Sequence, residues 1–199
     1  DPNVVHVDGS VNPIRDKEII DIELQLKDLE TIESRYAKAE KAARTSGDRD
    51  SKLLFEILKR YKAALEQGKS ARTVEFESKE EIKMAKELCL LTSKPVLYVC
   101  NVDEASAKDG NAYTKQVEEA AKAEGAEMLI VAAKIESDIA EFESYEEKQL
   151  FLSELGLEQS GVARLIQAAY HLLDLQTFLT AGEQEVKAWT FTRGWKAPQ

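Results

Sequence analysis

Two short apolar runs, set one helix-length apart, constrain the fold more than any other feature of this chain. The first is Lys94-Pro95-Val96-Leu97-Tyr98-Val99-Cys100 and the second is Glu127-Met128-Leu129-Ile130-Val131. Neither alternates apolar with polar residues, so each reads as a strand covered on both faces rather than one face of an exposed sheet. Between them lie a loop, Asn101 to Gly110, and a helical pattern from about Ala112 to Glu124, closed by Gly125. A strand–helix–strand unit implies a parallel pair with a right-handed crossover. Parallel strands need helices packed on their faces, which makes the class α/β.

Upstream, Val4-Val5-His6-Val7-Asp8-Gly9 has the β-branched density of a strand or its exit, and Asn12-Pro13 offers an N-cap with Pro at the first helical position. From Lys17 to Arg44 the sequence reads as one helix, about 40 Å long at 1.5 Å per residue. Its apolar stripe is Ile19, Ile22, Leu26, Leu29, Tyr36 and Ala43. Thr45-Ser46-Gly47-Asp48 breaks it, and a second amphipathic helix follows on Leu54, Ile57, Tyr61 and Leu65. The two form an antiparallel hairpin. It reads either as a bundle core or as a protruding coiled-coil arm, and the narrow stripes favour the arm. Gly68 to Glu77 is a connector, with an extended piece at Val74-Glu75-Phe76. Ser78-x-x-Glu81 and Ser144-x-x-Glu147 are capping boxes. The first opens a helix through Ile82, Ala85, Leu88 and Cys89, and the second a helix to about Leu155. Ser160-Gly161 starts another, through Leu165, Ala168, Ala169, Leu172 and Leu173. From Thr177 to Phe191 the period becomes two, as in a β-hairpin too small to stand alone. The resulting division is 1–16 as a lead-in, 17–77 as the helical arm, 78–175 as the sheet-bearing region and 176–199 as the start of a further domain.

Composition narrows the functional classes. Of 199 residues 43% are hydrophobic and 32% charged, with a formal net charge of −10. That much patterned apolar content excludes disorder, and the acidity argues against wrapping nucleic acid over the whole surface. No run approaches the ~18 apolar residues of a membrane span. Asp1-Pro2-Asn3 is no signal peptide, and with no initiator Met both ends read as cuts in a longer protein. Cys89 and Cys100 are too few for a disulfide framework or metal knuckle; in their apolar surroundings both are expected to be buried, reduced thiols of a cytoplasmic protein.

Ligands of open parallel sheets bind at the carboxyl ends of strands. Two loops are expected there, Asn101-Val102-Asp103-Glu104 and Ala132-Ala133-Lys134-Ile135-Glu136. An amide followed three residues later by a carboxylate can read a nucleobase edge. Small residues in the second loop let backbone N–H groups approach the base, and the Lys134 stem can cover a ring face. Asn101 also has a plainer reading as a turn residue. His6 and His171 read as structural histidines, the latter packed on an apolar helix face. Glu118-Glu119 and Glu146-Glu147 read as solvated helix surface. Lys59, Arg60, Lys62, Lys69 and Arg72 form a mild basic cluster, either ordinary charge mixing or a contact for RNA phosphates.

The two loop motifs resemble the base-recognition motifs of the YchF (EngD, or Obg-like ATPase) subfamily of P-loop NTPases. The resemblance extends to His6-Val7-Asp8-Gly9-Ser10-Val11-Asn12-Pro13, before the family's helical insertion. It is most specific at Leu165 to Glu183, which matches the junction from the nucleotide domain into a β-grasp TGS domain. It implies a partial P-loop NTPase sheet with an inserted coiled-coil arm, and a cytoplasmic, ribosome-associated ATPase preferring ATP, with GTP as the alternative. Base-binding residues would be Asn101, Val102, Glu104, Ala132, Ala133 and Lys134. Val102 and Glu104 stand where GTPases have the Lys and Asp of Asn-Lys-x-Asp, whose short Asp pairs with guanine, and Ala132 stands where the family has Ser. The chain holds no G-x-x-x-x-G-K-[ST] and no identifiable Mg²⁺ holder, so Mg²⁺ is expected only in a full-length parent and this stretch alone should not hydrolyse ATP. The remaining alternative is a non-catalytic helical adapter or RNA-binding module.

Overall fold

The computed structural model describes residues 9–196. His6 and the Val4–Val7 run lie outside the described residues. The chain divides into two compact units, one spanning Ile14–Pro95 and the other built mainly from Val96 onward.

The first unit is helical. Helix α1 runs Pro13–Thr45, α2 runs Arg49–Glu66 and α3 runs Lys79–Glu87, with a single 3-10 turn at Ala71–Thr73. Proline stands at the first position of α1, where its missing N–H costs nothing. Asp48 caps α2 by accepting from Ser51 N–H at 3.0 Å, and the expected capping box at Ser78 and Glu81 opens α3. The core joins Ile32 and Ala39 of α1 to Ile57, Leu58, Tyr61 and Leu65 of α2, and then to Ala85, Leu88 and Leu90. Tyr36 packs on Phe55 and Tyr61 on Phe76, ring to ring.

Three expectations change here. The helical region is not closed by two stripes alone, because α3 and the segment after it complete the core; α3 therefore packs with the arm rather than with 78–175, and the compact unit extends to Pro95. On α1 the buried residues are Asp28, Ile32 and Ala39; of the expected stripe Leu29 and Tyr36 pack on the core, whereas Ile19, Ile22 and Leu26 stay exposed. Finally, Cys89 is exposed rather than buried: α3 has ended, and Cys89 takes a left-handed conformation, φ 53°, while its neighbours Leu88 and Leu90 turn inward.

Asp28 has no counterpart in the sequence reading. It is 2% exposed. Its carboxylate accepts from the N–H of Leu91, the N–H of Thr92 and the Thr92 hydroxyl, each at 2.7 Å. The Thr92 oxygen in turn accepts from Ala71 N–H at 2.8 Å. A buried carboxylate with three donors is fully compensated, and this one ties α1 to the chain beyond α3 and to the 3-10 turn.

The second unit holds the expected strand–helix–strand. Strand β1 is Leu97–Asn101, α4 is Ala112–Glu124 and β2 is Glu127–Val131. The strands pair in parallel, Leu97 opposite Glu127 through Asn101 opposite Val131. Asn111 caps α4, and Gly125 closes it in the left-handed region that glycine adopts without penalty. Helix α4 packs on both strands. Neither strand is sealed on both faces, however: among the described residues the sheet has these two strands alone, and Val99 keeps 46% exposure. Helices α5, Ala133–Glu141, and α6, Tyr145–Glu154, follow, with Ser144 and Glu147 forming the expected capping box. Helix α7, Gly161–Leu172, is capped by Ser160 and packs on β2. It leads into the antiparallel hairpin β3, Leu175–Ala181, and β4, Val186–Thr192. Tyr170 of α7 meets Thr177 and Thr190 of the hairpin hydroxyl to hydroxyl, each at 3.3 Å. No helix among the described residues is long and apolar enough to cross a membrane.

Candidate functional site

The parallel register carries both candidate segments to one edge of the sheet. The ladder continues one residue beyond β1, where Val102 N–H donates to Val131 C=O at 2.9 Å. Beyond that bond the two segments diverge in character. Asp103 accepts from Ser106 N–H at 2.9 Å and starts a 3-10 turn, Glu104–Ser106. Hydrogen bonds from Ser106, side chain then backbone, hold the Asp103 carboxyl below its usual range. Asp103 is thereby spent on shaping the loop that presents Glu104.

The second segment is not a loop. Ala132 is the N-cap residue of α5, so Ala133 and Lys134 lie on the first helical turn. The sequence hid this helix because its start lacks the Ser, Thr, Asp or Asn that normally announces one, and Ala132 provides no side-chain cap. The cap comes from the other strand: Asn101 Oδ1 accepts from Ala133 N–H at 3.0 Å. With its oxygen so engaged, the Asn101 amide keeps its NH₂ group as a donor. The N–H groups of Lys134 and Ile135 belong to the same first turn, which intrahelical bonding leaves unpaired.

Four of the six expected residues come together at the surface. Asn101, Glu104, Ala133 and Lys134 are exposed, joined by the Asn101–Ala133 bond and by an ion pair of Lys134 Nζ with Glu104 Oε1 at 3.3 Å. The Lys134 ammonium thus meets the carboxylate across the site. Val102 and Ala132 behave differently. At 5% and 4% exposure they sit in the apolar cluster with Ala107, Ile135, Ile139 and Leu152. Their side chains anchor the two segments from beneath.

Glu136, two residues past Lys134, turns to α7. Its Oε1 accepts from Gly161 N–H at 2.6 Å and its Oε2 from Val162 N–H at 3.2 Å. Gly161 is buried, and a Cβ there would stand 2.9 Å from both Glu136 Oε1 and Val131 Cγ1, which explains the glycine. Arg164 of α7 donates to Ile130 C=O. That bond ties α7 to a strand carbonyl of β2 through a charged side chain.

The remaining candidates separate from this site. His171 is satisfied, its Nδ1 2.8 Å from Glu127 Oε1, yet its side chain is 75% exposed rather than packed on an apolar face. In the helical unit, Lys62 pairs with Glu33 at 2.7 Å and Glu66 at 3.3 Å, and Arg60 pairs with Glu81 at 3.2 Å while covering the Phe76 ring. Lys59 lies 3.9 Å from Glu56. Much of the basic cluster is therefore neutralised internally.

No family model matches the chain. It is 52% identical to the ribosome-binding ATPase YchF of Bacillus subtilis (strain 168), over all of this chain and 54% of that protein. The same protein of Escherichia coli O157:H7 is 42% identical over 99% of the chain and 53% of its own length. Obg-like ATPase 1 of Rattus norvegicus is 38% identical over the whole chain and 51% of its length. Over its whole length the chain is homologous to YchF/Obg-like ATPases. Its fold agrees: a solved YchF GTPase of Schizosaccharomyces pombe superposes with a TM-score of 0.85 at 30% identity, covering all of this chain and 54% of that one. The chain spans about half the length of the curated relatives it matches. The expected α/β fold, with helical arm, small parallel sheet and antiparallel hairpin, is the observed one.

Proposed function

We propose that this chain carries the base-recognition half of a nucleoside-triphosphatase, and that the base is adenine in preference to guanine. The observation that supports it is the convergence of Asn101 and Glu104, from the end of β1, with the first turn of α5 at the end of β2. In this reading the Asn101 NH₂ donates to a ring nitrogen of the purine, and Glu104 accepts from an exocyclic amine after releasing Lys134. The freed Lys134 stem lies along the ring face. Guanine offers N1–H and its 2-amino group as a paired donor fork that suits a short Asp, whereas adenine lacks the 2-amino group and offers the 6-amine, which the longer Glu104 can reach without fitting that fork. The names of the relatives differ on the nucleotide, ATPase for some and GTPase for another, so the choice rests on these residues.

The residues fit a purine and leave the phosphates to groups elsewhere in a full-length protein, which would also bring Mg²⁺ and the hydrolytic chemistry. From the family resemblance we further propose that residues 176–199 begin a TGS domain, that the helical unit up to Pro95 is an inserted coiled-coil arm, that the unit from Val96 to 175 belongs to the nucleotide domain, and that the parent works on ribosomes in the cytoplasm. The adapter reading rests on Lys59, Arg60, Lys62, Lys69 and Arg72 as an RNA contact. It is weakened by the carboxylates that already hold Arg60 and Lys62.

The test is nucleotide affinity in the full-length protein. Wild type should bind ATP at least tenfold more tightly than GTP. Removing one charged hydrogen-bond partner costs about 1.5–3 kcal/mol, so Glu104→Ala should weaken ATP by roughly 10- to 100-fold. Glu104→Asp should narrow the ATP:GTP ratio. A matching Val102→Lys is a poor partner for it, because Val102 is buried in the apolar cluster. Equal affinities for ATP and GTP in the wild type would overturn the proposal.

A further inference from the structure

We infer that Glu136 is a positioning residue for base recognition, holding the first turn of α5 at the site through the N-terminus of α7. The inference rests on the base-site reading above. Helix α5 is only nine residues long and has no side-chain cap of its own. Ile135 and Ile139 fix which face of it enters the apolar cluster, but apolar contact is non-directional and leaves small rotations and axial shifts free. Two polar ties limit those. One is Asn101 to Ala133 N–H, which belongs to the candidate site itself. The other is Glu136, whose two oxygens take the N–H groups of Gly161 and Val162.

The α7 side of this tie is built to receive it. Ser160 Oγ accepts from Ala163 N–H at 3.1 Å, so Glu136 supplies what the first turn of α7 still lacks, and its negative charge suits the positive end of that helix. Glycine at 161 keeps the approach open, since a Cβ would strike both Glu136 and Val131. Rotation of α5 would therefore have to break two charge-assisted bonds. Glu136 touches neither base nor phosphate in this arrangement. It acts through the positions of Ala133 and Lys134.

Titrations of the full-length protein with ATP and with inorganic tripolyphosphate, which carries phosphates and no base, separate positioning from general damage. Glu136→Ala should weaken ATP about tenfold and change tripolyphosphate less than twofold. Glu136→Gln keeps one acceptor and should restore most of the affinity, leaving ATP about threefold weaker. Unchanged ATP affinity in a folded Glu136→Ala protein overturns the inference, and so does an equal loss of ATP and tripolyphosphate. If Glu136→Ala does not fold, Glu136→Gln decides by the same two comparisons. Failure of the base-site reading shows separately, as a wild type that does not distinguish ATP from GTP.

Discussion

Asp28 is the residue on which the helical unit should depend most steeply. Replacing it with alanine removes the acceptor for Leu91 N–H, Thr92 N–H and the Thr92 hydroxyl. Thr92 is 2% exposed, so its N–H loses its partner where water does not reach, whereas the N–H of the exposed Leu91 can be partly hydrated. Each buried donor left unpaired costs about 1–3 kcal/mol. The three together should cost about 3 kcal/mol, or roughly 150-fold in the unfolding equilibrium. Native-state amide exchange reads this directly: protection at Ile57 and Leu58, in the core of the helical unit, should fall about 150-fold. Protection at Leu129 and Ile130, in the other unit, serves as the internal control. Thr92→Val supplies the cross-check, because it strands Ala71 N–H and removes a donor to Asp28. Its effect should be smaller in the Asp28→Ala background, with a coupling of at least ~1 kcal/mol. Protection that falls less than threefold, that falls equally in both units, or additive single effects would refute the network.

The other predictions are shorter. For Glu104, an ATP:GTP affinity ratio that narrows in Glu104→Asp is expected from competition binding. For Glu136, a loss confined to ATP and absent with tripolyphosphate is expected from the same kind of titration. The carboxyls of Asp48 and Glu81 are held below their usual range, chiefly by Ser51 and Ser78 backbone N–H groups. A lowered folded-state pKa means stability that is present above the ordinary carboxylate range near pH ~4 and lost as pH falls through the lowered values; amide protection at the starts of α2 and α3 should drop there, and Asp48→Asn should remove its share of the pH dependence. Burial pushes the Cys100 thiol up and Cys89 is exposed, so iodoacetamide at neutral pH should label Cys89 first, read by peptide mass spectrometry.

What the sequence disclosed and what it concealed divide along the range of the interaction. Helix α4, its glycine stop and both strands were legible because their signals lie within the element: Asn111 and Gly125 at the ends, unbroken apolar residues within. The capping boxes were legible for the same reason. On α1 the expected stripe holds at Leu29 and Tyr36, which pack on the core beside Ile32 and Ala39, and fails at Ile19, Ile22 and Leu26, which stay exposed. Which face is buried depends on α3 and the segment after it. Asp28 carries no local signal of burial, and only Leu91 and Thr92, more than sixty residues later, make it a core residue.

The candidate site shows the same division within a single motif. Asn101, Glu104, Ala133 and Lys134 could be named from residue type and from their place after two strands, but the helix carrying the last two could not. A helix that begins on alanine leaves its first N–H groups to be satisfied by something else. Asn101 satisfies one from 32 positions away. The lack of a local cap is therefore informative once the sheet is formed: it leaves the start of α5 open toward the facing loop, with donors available to a ligand. A serine or aspartate at position 132 would mark the helix plainly in the sequence and would take the N–H of Lys134 or Ile135, which Asn101, bonded to Ala133 N–H, leaves free. The residue that made α5 hard to read is the one that leaves those donors open at the meeting of the two strand ends.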